Sequence, residues 1–107
     1  MVVKRSGDRE AFDRAKLTSG VQSACKNRPV DEAAIESIVS QVEEAVRLLG
    51  TTVSSEEIGK ATLEALRAVD EVAYVRFASV YKGFDEAKDF TREVGDLVKT
   101  TAPKPRR

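Results

Sequence analysis

Apolar residues recur at helical spacing along most of the chain and divide it into five segments behind a charged N-terminal stretch. Leu17, Val21, Ala24 and Cys25 form the first stripe, running from an N-cap at Asp13 to a turn at Asn27-Arg28-Pro29. Asp31 caps a second helix, in which Ile35, Ile38, Val39, Val42, Ala45, Val46 and Leu49 share one face. Glu36, Ser40, Glu43, Glu44 and Arg47 lie outside that face, and Gly50 suits the left-handed stop after it. Ser54 and Glu57 have capping-box spacing before a third helix lined by Ile58, Ala61, Thr62, Ala65, Leu66 and Val69. Gly59 inside it costs about 1 kcal/mol against alanine, so a close approach is expected there, by another helix or by a ligand.

Asp70 and Glu71 open a fourth helix carrying Val72, Ala73, Val75, Phe77, Ala78, Val80 and Tyr81. It is apolar on nearly every side apart from Arg76 and Lys82, which predicts the most buried element of the fold. After Gly83, Asp85 starts a last amphipathic helix with Ala87, Phe90, Val94, Leu97 and Val98 on one side. Thr100 to Arg107 reads as a disordered basic tail, so residues 1–99 are expected to form one domain and 100–107 a solvated extension.

The N-terminal stretch does not follow the helical period. Val2-Val3 is a short β-branched strand, Ser6-Gly7-Asp8 a reversal, and a second short strand leads to Asp13. Phe12 and Leu17 bracket that cap as a hydrophobic staple. Thr51-Thr52-Val53 is too short to stand alone and is expected to join the hairpin. The result is an α+β, mainly helical domain, a helical bundle with a small three-stranded sheet.

Charge sharpens the picture at one place. Lys16 falls in the first turn of the first helix, where the dipole and free amides favour an anion. With Lys4 and Arg5 on the neighbouring strand, it suits a bound polyanion. Spacing alone equally allows solvated surface charge, with Asp8, Glu10 and Asp13 as counterions. The chain as a whole has 18 basic and 18 acidic residues, so any nucleic-acid contact must come from a local patch. One hundred and seven residues allow one modest core. No apolar run suits a membrane span or a signal peptide, which makes a cytoplasmic protein the default expectation.

Catalytic chemistry finds little support. The chain has no histidine, and its single cysteine, Cys25, falls on the apolar side of the first helix. There is no nucleophile elbow, phosphate-binding loop or dinucleotide fingerprint, and no cysteine set for zinc, so an enzyme is not expected. Binding is better supported: Lys4, Arg5 and Lys16 can converge on phosphates, with Ser54 and Ser55 offering donors at another helix start. Tyr81 supplies either a flat face beside a base or a core aromatic with its hydroxyl at the rim.

Val2-Val3-Lys4-Arg5-Ser6-Gly7, with Glu10, Phe12 and Asp13 to Leu17, resembles the opening of an ATP-cone, the nucleotide-binding regulatory domain of ribonucleotide reductases and their regulators. The segments Lys26 to Val30, Val53 to Gly59 and, above all, Asp70-Glu71-Val72-Ala73-Tyr74-Val75-Arg76-Phe77-Ala78-Ser79-Val80-Tyr81 are similar to the NrdR-type repressor branch. The resemblance implies a helical domain lidded by a three-stranded sheet, with ATP or dATP as effector under the lid. It carries nucleotide contact onto Val2, Lys4, Arg5, Glu10 and Lys16, with the three cations on the phosphates. Ser55 matches a hydroxyl position beside the nucleotide, and Tyr81 an aromatic beside the base or sugar. Ser6 stands where the family often has an acidic residue.

Repressors of this type carry a four-cysteine zinc ribbon before the cone, and the sequence begins where that ribbon is expected to end. The resemblance therefore implies a nucleotide-sensing, homo-oligomeric regulatory domain that meets promoter DNA only through the ribbon, with no zinc site in this chain. Two rivals remain open: the allosteric cone of a ribonucleotide reductase large subunit, and a helical protein-interaction module that binds no nucleotide.

Overall fold

The structure, a computed structural model, describes residues 2–3 and 7–101. Lys4, Arg5, Ser6 and residues 102–107, which carry expectations above, lie outside the described residues. The elements are β1 (Val2–Val3), β2 (Arg9–Glu10), α1 (Arg14–Ala24), α2 (Glu32–Leu49), β3 (Val53–Ser54), α3 (Ser55–Arg67), α4 (Glu71–Tyr81) and α5 (Ala87–Thr101).

Four helix starts follow directly from local chemistry. Asp13 accepts from the Lys16 amide at 3.1 Å, Asp31 from Ala34 at 2.8 Å and Asp70 from Ala73 at 2.9 Å, each satisfying an orphan donor of the first turn. At α3 the box is reciprocal: Ser54 Oγ accepts from the Glu57 amide, and the Glu57 carboxylate accepts from the Ser54 amide, both at 3.0 Å.

The sheet order is β2-β1-β3, with β1 and β2 antiparallel and β1 and β3 parallel. Val2 stands opposite Glu10 on one side and Val53 on the other, while Val3 stands between Arg9 and Ser54. The third strand thus lies C-terminal to its expected place, and Thr51 and Thr52 stay outside it. Its continuity with α3 explains the shift, since Ser54 is both the last strand residue and the helix cap.

Val21 of α1, Ile38, Val39 and Val42 of α2, and Thr62 and Leu66 of α3 are the largest fully buried side chains. The centre of the core therefore belongs to α2 and α3, not to α4 as its composition suggests. On α4 only Ala73 and Ala78 are buried, whereas Val72 is exposed and Val80 is 83% exposed. Small residues bring α4 close to its neighbours while Val72 and Val80 face away, a distinction that hydrophobicity summed around a helix does not carry. Val69 likewise lies beyond α3 and is exposed, because its amide and that of Asp70 both donate to Leu66 O and end the helix.

α5 departs furthest from expectation. Of its apolar set, Leu97 is buried, but Phe90, Val94 and Val98 are exposed. The residue that docks the helix is Glu93, which is buried and accepts from the Tyr74 hydroxyl at 2.6 Å and from Lys82 Nζ at 2.9 Å. The helix starts at Ala87 rather than Asp85, with the Asp89 carboxylate reaching back to the amides of Asp85 and Glu86. It runs on through Thr100 and Thr101, two residues into the stretch expected to be tail.

This docking has a pH signature. Burial first, then the bond to Glu93, pushes the Tyr74 phenol up to about 12. Its folded value lies above the ordinary value of about 10, so its stabilising contribution is complete below pH ~10 and is lost as pH rises through about 12. Burial pushes Glu93 up, but the Tyr74 and Lys82 hydrogen bonds outweigh it and hold the carboxylate below its usual range. Glu93→Gln is expected to lower the Tyr74 titration only part of the way from about 12, because burial, the larger cause, remains, read as tyrosinate absorbance against a Tyr74→Phe control. An unchanged titration would place the partner of Tyr74 elsewhere.

Candidate functional site

β1, the β2–α1 connection, α1, the start of α3 and α4 enclose a cleft of about 200 Å³. Val2, Glu10, Lys16 and Ser55, four of the residues singled out in the sequence, line it together. Strand register supplies the first pair, since Val2 and Glu10 stand opposite each other. The Asp13 cap supplies Lys16 by fixing the first turn of α1 beneath the hairpin, and the parallel β1–β3 pairing sets the start of α3, and so Ser55, beside them. Phe12, Leu17, Ile58 and Phe77 give the cleft an apolar wall.

The electrostatics at Lys16 are unusual for a helix start. The first turn of α1 has no acidic residue, and among the described residues no carboxylate pairs with the Lys16 ammonium. Arg14, two residues earlier, is by contrast occupied on α2, where it holds Glu36 and Glu43. An unpaired cation over the free amides of a helix N-terminus is an arrangement that suits an anion. Ser54 is already committed: its hydroxyl serves the Glu57 amide and carboxylate, which leaves Ser55, on the first turn, as the hydroxyl lining the cleft.

Tyr81 is not in this cleft. It lines the adjoining one, about 460 Å³, with Ser23, Ala24, Arg76 and Val80, and the two clefts share Gly20 and Phe77. Its hydroxyl donates to Glu56 O at 2.7 Å and its ring stacks on Phe77, with centroids 6.3 Å apart. The ring lies directly over Gly59, answering the question that glycine raised: the close neighbour is an α4 side chain. Taken alone the first cleft is small beside the roughly 300–1,000 Å³ of ordinary ligand sites. The two together fall within that range.

The wall between the clefts is held from behind. Arg76 Nη1 donates to the carbonyls of Ala24 and Lys26, at 3.3 and 2.6 Å, closing the C-terminal turn of α1, which has no basic residue of its own. Arg28 grips Asp70 with two bonds of 2.9 and 3.0 Å. That guanidinium holds the Asp70 carboxyl below its usual range despite burial, and the Ala73 amide adds to the effect. Burial, with Asp70 nearby, pushes the Cys25 thiol up, in keeping with a packing role. Sequence reasoning missed Gly20, Phe77 and Arg76. Gly20 was accessible, being one turn from Lys16 on the same face, whereas the Arg76 contact joins residues about fifty positions apart and has no local signal.

The chain matches the ATP cone domain family over residues 1–87. It is similar to transcriptional repressors NrdR: 52% identical over 97 residues to that of Saccharopolyspora erythraea, 53% over 97 to that of Mycobacteroides abscessus, and 51% over 98 to that of Thermobifida fusca. These alignments cover 90, 90 and 91% of this chain and 51, 63 and 64% of the respective relatives, so the chain spans between half and two thirds of their length. The family match stops where α5 begins, while 97 aligned residues necessarily extend into α5.

Proposed function

The chain belongs to the ATP-cone family, and from that membership we propose that it is the nucleotide-sensing domain of an NrdR-type transcriptional repressor of ribonucleotide reductase genes. ATP or dATP binds in the cleft under the hairpin and alters self-association, which governs DNA binding by the whole protein through a zinc ribbon outside this chain. The observation that carries the proposal is the convergence of Val2, Glu10, Lys16 and Ser55 on one cleft, where among the described residues no carboxylate forms an ion pair with the Lys16 ammonium although Glu10 and Asp13 line the same cleft. Lys4 and Arg5 join Lys16 on the phosphates, and Ser55 bonds the nucleotide from the start of α3. Tyr81 acts beside the base or sugar through Phe77, on which it stacks.

Nothing in this scheme needs a reaction. It needs differential affinity, because a ligand that binds two assemblies equally shifts neither. ATP and dATP differ by one hydroxyl. A buried partner for it is worth roughly 1–3 kcal/mol, enough to redirect a marginal equilibrium between assemblies.

Titration with ATP and with dATP, following binding by calorimetry and mass by light scattering, tests the proposal. Micromolar binding with a mass that differs between the two nucleotides is the expected result. Absence of binding would leave the protein-interaction module as the better account, and binding at constant mass would remove the switching mechanism.

A further inference from the structure

α5 is docked through Glu93 and Leu97, both buried, while the rest of its apolar side stays largely exposed, with Phe90 packed edge-on against Phe84 at a centroid distance of 4.9 Å. Glu93 is bonded to Tyr74 and Lys82, and Leu97 is buried, whereas Phe90, Val94 and Val98 are 42, 44 and 55% exposed. At 100° per residue these three fall within an arc of about 80°, so they form a single ridge. We propose that this ridge is a self-association surface, in which α5 pairs antiparallel with α5 of a second copy about a two-fold axis through Val94. The inference rests on the self-association proposed above and names the surface that carries it.

The occupant follows from the pattern of the ridge. Phe90, Val94 and Val98 are spaced symmetrically about the central valine, so a two-fold rotation sets Val94 against itself and each Phe90 over the opposite Val98. Such a patch is complementary to its own copy, as an isologous interface requires. Thr91 and Gly95 border the ridge on its open side, so no charge stands at the seam. A Cβ on Gly95 would meet nothing within 4 Å, which leaves room for a second backbone to come close.

Size argues in the same direction. A few half-exposed side chains bury far less than the roughly 800 Å² per partner of a permanent complex. A seam this small gives a weak, reversible pairing, which is what a nucleotide must redirect. α5 also lies beyond the residues shared with the cone family and partly within those shared with the repressors.

Charge placed at the axis tests the geometry. Val94→Glu and Val94→Lys are each expected to abolish the larger species in light scattering, while circular dichroism and nucleotide affinity stay within about two-fold of the parent. Mixing the two variants is expected to restore it, since position 94 then meets an opposite charge across the axis. A merely structural effect would not be rescued by mixing. If the parent changes mass with nucleotide but both variants do so equally, the surface is misassigned while the nucleotide reading stands. A parent that binds nucleotide and remains a monomer throughout would overturn the pairing, the ridge then belonging to a different partner. Loss of nucleotide binding by the parent itself would instead remove the reading on which the inference rests.

Discussion

Lys4→Ala combined with Lys16→Ala is expected to abolish ATP and dATP binding while leaving the helical circular dichroism and thermal midpoint unchanged. Lys16 is exposed, and among the described residues its ammonium has no carboxylate partner, so its removal breaks no contact of the fold. It also relieves an unfavourable placement, because a cation in a first helical turn opposes the macrodipole. A charge-assisted bond to phosphate is worth about 1.5–3 kcal/mol. Two such bonds make roughly 3–6 kcal/mol, a fall in affinity of two to four orders of magnitude, and Lys16→Ala alone should cost about one to two orders. Arg14→Ala is the control: it lies on the same helix but faces Glu36 and Glu43, and should leave affinity intact. Isothermal titration calorimetry decides the matter. Undiminished affinity in the double variant would mean that the phosphates lie elsewhere, and equal losses from Arg14→Ala would mean that general charge, not position, was being read.

The contrast between Lys16 and Arg14 also shows what a sequence discloses. Caps are local, so Asp13, Asp31, Ser54 and Asp70 are legible from the residues three positions on, and the structure bears each one out. The stripe of α2 is legible for the same reason, down to Val42. What is not local is whether a neighbour covers a given face. Val80 and Val94 have the hydropathy of core residues, yet they face outward because Ala78 and Glu93 make the contacts instead.

The site divides in the same way. Lys16 and Ser55 announce themselves by standing at helix starts, and Val2 and Glu10 by flanking a short turn. Their meeting depends on the parallel β1–β3 pairing and on the Arg76 and Arg28 clamps, and these join residues far apart in the chain. From spacing, Gly59 signalled a close approach without naming what approaches. Only the fold identifies the neighbour as Tyr81.

That neighbour makes Gly59→Ala strongly destabilising, against the ordinary expectation for a helix. Alanine in a helix interior normally gains about 1 kcal/mol over glycine. Here a Cβ would overlap Cε1, Cζ and Cδ1 of Tyr81, the body of a rigid ring and not the end of a flexible chain. The ring cannot retreat freely, because its hydroxyl is bound to Glu56 O and its face is stacked on Phe77. Overpacking of this kind costs about 1–3 kcal/mol, and the lost hydrogen bond about 0.5–1.5 more. After the propensity gain, a net loss of roughly 1–3 kcal/mol is expected, several degrees in the thermal midpoint of a domain this size. Since Phe77 walls both clefts, nucleotide affinity should fall with it. The diagnostic measurement is the double-mutant cycle: in a Tyr81→Ala background the same Gly59→Ala change should turn from destabilising to stabilising, leaving only the helix propensity. A single Gly59→Ala variant that melts higher than the parent would show that Tyr81 does not rest on α3, and the wall between the two clefts would have to be rebuilt around another residue.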